Sequence, residues 1–209
     1  MSARRLSALV LSCAAACAPR ATTLTGVAVA PQRIPVAQLA PGAQQLTFTW
    51  EYRDSELFAS GEGAARITAP DSARLDLFMR GGMGNGFAVV LGDTIHAPGG
   101  GLLSRLIPPA AMFWAALGRL AVPPGDTTVR IDGGVMHADI RHGATTMRVA
   151  FNGERLASIE TIRDDGVIER ATRTGAELRY EHFTAHRVLL LTVTRTQAVA
   201  PFDASIWKH

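Results

Sequence analysis

Between Gln45 and Arg53 the chain alternates without a slip. Leu46, Phe48, Trp50 and Tyr52 fall on one side, and Gln45, Thr47, Thr49, Glu51 and Arg53 on the other. A period of two is the mark of a strand with one buried and one wet face, and a helix cannot accommodate it. Three further runs follow at short intervals. Gly63 to Ala69 ends at Pro70-Asp71; Ala73, Leu75, Leu77 and Met79 then oppose Ser72, Arg74, Asp76 and Arg80; and Phe87 to Leu91 follows a glycine-rich loop. The segments between them are too short for crossover helices, so the four strands are expected to form an antiparallel meander.

The pattern breaks once. After Gly99-Gly100-Gly101, the stretch Leu102 to Leu120 contains Pro108-Pro109 followed by Ala110 to Leu117, with Gly118 behind it. Proline early and glycine late frame a helix. This one is apolar nearly all round, so it must be covered on most sides or lie over an apolar opening. Strand patterns then resume around Val129, Met136 to Ile140, Met147 to Phe151, Leu156 to Ile162, Val167 to Ala171, Leu178 to Phe183 and Val188 to Thr194. Gly133-Gly134, Asn152-Gly153 and Asp164-Asp165-Gly166 supply turns, and Asn152-Gly153 suits type I′. The expected fold is mainly β within the α+β class: a curled antiparallel sheet of about ten strands, an incomplete barrel with a helical lid.

The N-terminus reads as export. Arg4 and Arg5 precede an apolar run from Leu6 to Ala16, too short for the roughly 20 residues that span a bilayer. Ala14-Ala15-Ala16 before Cys17 has the small-residue form of a lipoprotein cleavage site; Val10-Leu11-Ser12 before Cys13 is the alternative. Cys17 is preferred as the lipid-attachment residue. Residues 1–16 are thus expected to be a signal peptide, 17–44 a lipidated N-terminus and tether rich in Pro, Ala, Thr and Val, and 45–209 a single domain. Both cysteines precede residue 18, so the body has no disulfide.

Composition narrows the partners. Removing Arg4 and Arg5 with the leader lowers the formal net charge from +3 to +1, and the arginines are scattered, which gives no basic patch for nucleic acid. Gly81-Gly82-Met83-Gly84-Asn85-Gly86 lacks the Lys-Ser/Thr of a phosphate loop and precedes a strand where a helix would be required. His137 and His142 point to opposite faces of any continuous strand, and His182 and His186 would stand roughly 13 Å apart at strand rise. No Gly-x-Ser-x-Gly elbow occurs. These features suggest no catalytic residue, metal or cofactor, and a monomeric binding protein.

The segment ARLDLFMRGGMGNGFAVVLGD, with Phe48-Thr49-Trp50 before it and LIPPAAMFWAALG after it, resembles the outer-membrane lipoprotein receptor LolB and its carrier relative LolA. The resemblance implies an incomplete β-barrel whose helices plug the open side, and an apolar cavity for the acyl chains of a lipoprotein. By position, Met83 matches the exposed loop-tip residue that the family uses at the membrane. On this reading Phe48, Trp50, Leu75, Leu77, Phe87, Val89 and Leu91 line the sheet side, and Met112, Phe113, Trp114 and Leu117 form the lid. The partner would be an acylated lipoprotein or lipid, at the periplasmic face of the outer membrane. A competing reading, from another class, is an envelope interaction or sensory lipoprotein that binds a protein segment in the same half-barrel.

Overall fold

The computed structural model describes residues 18–82, 84–98 and 101–208. The expected signal peptide, Cys13, Cys17 and the loop-tip Met83 lie outside the described residues.

The chain opens with β1 (Val27–Val29), followed by β2 (Ala43–Arg53), β3 (Phe58–Thr68), β4 (Ser72–Met79), β5 (Asn85–Leu91) and β6 (Thr94–His96). Two short helices come next, α1 (Leu102–Leu106) and α2 (Ala110–Ala116). A second meander completes the fold: β7 (Asp126–Asp132), β8 (Val135–His142), β9 (Thr145–Asn152), β10 (Arg155–Arg163), β11 (Gly166–Thr174), β12 (Glu177–His182) and β13 (Arg187–Val199). All thirteen strands belong to one sheet, ordered β1-β7-β8-β9-β10-β11-β12-β13-β2-β3-β4-β5-β6, with antiparallel neighbours throughout. The long β13–β2 ladder, from Val188 opposite Arg53 to Val199 opposite Ala43, joins the two meanders. The edge strands β1 and β6 pair with β7 and β5 respectively and not with each other, so the sheet is open.

Large side chains meet small ones across the first meander. Leu46 stands opposite Ala65, Phe48 opposite Gly63, Trp50 opposite Gly61 and Tyr52 opposite Ala59. A Cβ at Gly63 would overlap the Phe48 ring, and one at Gly61 would come within 2.9 Å of Trp50. These glycines are therefore the space into which the aromatic rings fold, which is what a glycine inside a strand usually marks. The connection from β6 to β7 runs from one edge of the sheet towards the other and carries both helices. Met112, Phe113, Trp114 and Ala115 of α2 are buried in one core cluster with Phe48, Trp50, Leu75 and Leu77.

Much of the outer face carries charges paired across neighbouring strands. Arg148 makes a two-pronged bond to Asp139 across β8–β9 (2.6 and 2.8 Å), Arg170 pairs with Glu160 across β10–β11 (2.6 Å), and Asp76 takes both Arg66 and Arg74. No charged residue is buried among the described residues.

Three expectations change. Residues 18–44 are not a free tether. Ala21 donates to the Asp165 carbonyl, Val167 donates to that of Pro19 (both 2.8 Å), β1 pairs with β7, and Ala37 is buried in the core. The β1 alternation is only three residues long, and Val27 remains 72% exposed, so hydrophobic patterning gave it no weight. The sheet has thirteen strands where about ten were expected, and the short edges β1 and β6 are two of the additional ones. At Asn152-Gly153 only the glycine takes a positive φ, so the turn is not type I′; paired positive φ values occur instead at Gly133-Gly134 (56° and 84°) and Asp164-Asp165 (49° and 59°).

Candidate functional site

A narrow slot lies between α2 and the concave face of the sheet, with a volume of about 60 Å³. Phe48, Trp50, Leu75, Leu77, Leu189 and Leu191 form its sheet wall, and Leu106, Ile107, Met112, Phe113, Ala116 and Leu117 its helical roof. Antiparallel registry sets this wall. Leu191 faces Trp50, Leu189 faces Tyr52, and Leu77 faces Gly63, so successive strands deliver apolar groups at one level. The one charged residue beside the slot, Arg179, alternates outward between Leu178 and Tyr180 and pairs with Glu181 at 2.9 Å. The slot therefore has the dry, apolar lining that accepts hydrocarbon and discriminates against charge.

Of the sequence-derived lining residues, Phe48, Trp50, Leu75, Leu77, Met112, Phe113 and Leu117 come together here. Phe87, Val89 and Leu91 do not. Registry puts Gly86, Ala88 and Val90 opposite Leu77, Leu75 and Ala73, on the concave side, and turns Phe87, Val89 and Leu91 outward. Arg74 lies over the Phe87 ring at 4.1 Å, and Leu91 is exposed. Trp114 is buried but faces the β5–β6 turn, where its Nε1 donates to the Gly92 carbonyl at 2.7 Å and its ring meets Phe113 edge-on. It fastens the roof instead of lining the slot. Sequence reading missed Leu46, Leu178, Leu189, Leu191 and Val193. The alternation of Leu178 with Tyr180 was a usable signal, whereas the run Leu189-Leu190-Leu191 has no period from which to choose a face.

The slot has a neighbouring depression towards each end of the strands. At one end it shares Leu46, Leu117, Leu178 and Val193 with a groove of about 730 Å³. Residues 36–40, the β9–β10 turn and the β11–β12 turn border this groove, and Arg155, Arg173 and Glu154 lie along it. At the other end it shares Ile107 and Tyr180 with a cavity of about 500 Å³ bordered by Arg105, His182 and Arg187.

Electrostatics differ between these ends. Arg105 pairs with Glu56 (3.1 Å) and Asp54 (3.4 Å), and these partners hold its pKa above the usual value. Asp54 also accepts the Tyr52 hydroxyl at 2.7 Å and the amides of Glu56 and Leu57 at 2.8 Å; these bonds, led by the Tyr52 hydroxyl, hold its carboxyl below the usual range. Burial, then the Asp54 bond, pushes the Tyr52 phenol up to about 12. Burial and Glu169, which accepts the Tyr180 hydroxyl at 2.9 Å, raise Tyr180 as well. Across the molecule Arg173 donates to the Leu117 carbonyl at the C-terminal end of α2 (3.2 Å); loss of solvent, then the neighbouring Arg155, lowers its pKa.

No group of three or more potential metal ligands occurs among the described residues, and no helix there is long and apolar enough to cross a membrane. No family model matches the sequence, and no curated protein matches it significantly. Solved structures do match. A LolA superfamily protein from Nitrosomonas europaea superposes with a TM-score of 0.52 at 8% identity, over 82% of this chain and 92% of that one. A domain from Vibrio parahaemolyticus assigned to outer membrane lipoprotein sorting gives 0.47 at 10% identity, over 80% and 89%. With its open antiparallel sheet and two short helices over the concave face, the chain shares its fold with the Nitrosomonas europaea protein.

Proposed function

We propose that this chain is an envelope lipoprotein that shelters acyl chains between α2 and the sheet, and acts in lipoprotein or lipid reception or transfer at the outer membrane. It is a binding protein, not an enzyme, and Cys17 anchors it. The observation that carries the proposal is the continuous apolar wall from Phe48 and Trp50 to Leu189 and Leu191 beneath a detachable-sized roof of two short helices.

The slot at about 60 Å³ is far below the ~300–1,000 Å³ typical of ligand pockets. Loading therefore requires α2 to move away from the wall. Proline-bearing connections at Pro108-Pro109 and Pro123-Pro124 flank the helix, so it can shift without breaking a strand ladder. Each methylene buried contributes about 0.8 kcal/mol, and ~10 of them outweigh ordering costs enough for binding in the micromolar range.

Native mass spectrometry of the protein purified without its anchor tests the reading. Co-purifying lipid or lipopeptide, or uptake of an added palmitoyl probe, is expected; neither would overturn it. Replacing Met83 with Glu should leave the melting temperature unchanged and impair delivery of bound cargo to vesicles. Unchanged delivery would remove that loop from the mechanism.

A further inference from the structure

We infer that the groove beside the β9–β10 and β11–β12 turns is a headgroup site, and that the bound molecule is an anionic amphiphile. Its phosphate or carboxylate would lie on Arg173 and Arg155 while its tail enters the slot past Leu46, Leu178 and Val193. This rests on the acyl-binding reading above and adds the chemical class of the ligand.

Side-chain direction is the first argument. β11 alternates, and Ala171 and Arg173 stand opposite Tyr180 and Leu178, two residues of the slot wall. Arg173 thus points to the concave side, unlike Arg66, Arg74, Arg148, Arg170 and Arg179, which pair with carboxylates on the outer face. The second is missing compensation. Arg173 has no ion pair among the described residues; its partner is a neutral carbonyl, that of Leu117, and its charged neighbour is another arginine. A partly desolvated cation beside a like charge is unfavourable unless an anion joins it. A guanidinium has five donors in a planar fork matched to phosphate or carboxylate, and the Leu117 carbonyl takes one. Glu154 also borders the groove but lies on the exposed β9–β10 turn.

The third argument is continuity. Leu46, Leu117, Leu178 and Val193 belong to both the groove and the slot, so a head at Arg173 and a tail under α2 would be parts of one molecule. The diacylglyceryl group of a lipidated cysteine has no charge next to its ester carbonyls. A phospholipid has a phosphate near its ester carbonyls, and a fatty acid ends in a carboxylate. The arginines therefore favour the second kind of amphiphile.

Calorimetric titration of the full chain separates the possibilities. The probes are palmitoyl lysophosphatidylglycerol, palmitoyl lysophosphatidylcholine and inorganic phosphate, with the lipids kept below micelle formation. The anionic lysolipid is expected to bind about tenfold more tightly than the zwitterionic one, the scale of one charge-assisted contact. That preference should shrink with added salt and disappear in R155Q/R173Q. Because R173Q also removes the bond to α2, R155Q alone is the second variant; it leaves that bond in place and should lose part of the preference. Equal binding of both lysolipids by the wild type would overturn the headgroup site and leave acyl binding standing. Binding of neither would overturn acyl binding itself. Phosphate binding as tightly as the anionic lysolipid would show a site for free anions and equally overturn the inference.

Discussion

The two ends of the curled sheet handle arginine in opposite ways. Where β2 ends and β3 begins, Arg105 sits among Asp54, Glu56 and the Tyr52 hydroxyl, in a closed network of complementary partners. Where β11 ends and β12 begins, Arg173 has a carbonyl and a second arginine. The same side chain is a structural brace in the first setting and an incomplete pair in the second. The lesson is that the location of functional charge is read from what is missing around a group. Abundance says little here, because arginine is common all over this surface.

Both ends share one packed wall, and the largest effect should come from removing it. Trp50→Ala is expected to cost about 3–5 kcal/mol in urea unfolding, as large aromatic truncations in cores do; its Nε1 bond to the Glu62 carbonyl at 3.0 Å is lost as well. A cost below about 1 kcal/mol would mean that the ends are not coupled through this wall.

Alkali should next distinguish the ends. The Tyr52 phenol is raised to about 12 from an unfolded value near 10. Its contribution is therefore complete below pH 10 and is lost as the pH climbs through about 12. Tyr180 is shifted in the same direction. The braced end should loosen first, seen as faster amide exchange at Glu56 and Leu57 than at residues 173–175 when the pH passes 10. Tyr52→Phe should flatten that alkaline limb, and simultaneous loosening of both ends would break the comparison.

The smallest effect belongs to the arginines themselves. Arg105→Leu should lower the melting temperature, because it leaves Asp54 and Glu56 without their cation. Arg173→Leu should change it little, the lost bond to Leu117 being offset by relief of an unpaired charge, within the ~0.5 kcal/mol of ordinary surface changes. A larger drop for Arg173→Leu than for Arg105→Leu would reverse the assignment of roles.

Much of the braced wall was legible in sequence because Leu46 to Tyr52 alternates with bulky apolar residues on one side only, and Leu75 and Leu77 do the same. The lid was legible from Pro109, Gly118 and the apolar run between them. β5 was not, since Phe87 to Leu91 is apolar on both faces. The deciding residue was Gly86: it stands opposite Leu77, and a Cβ there would run into Leu103, so the concave face had to be the one with the small residues. Arg173 carried no signal at all. Its meaning depends on partners contributed by β12, α2 and the β9–β10 turn, which only the folded chain brings together.

The docked N-terminal segment has a mechanical consequence. A free run from 17 to 44 could reach roughly 90 Å when extended, but Pro19 and Ala21 are stitched to the β10–β11 hairpin. With Cys17 as the anchor, the body would be moored like a boat tied at the bow, unable to roam above the bilayer. The loop that carries Met83 joins β4 to β5 at the same end of the strands as that hairpin, while the Arg155 and Arg173 groove opens at the stern. Under the proposed function, cargo would then board on the side away from the lipid surface and leave on the side facing it.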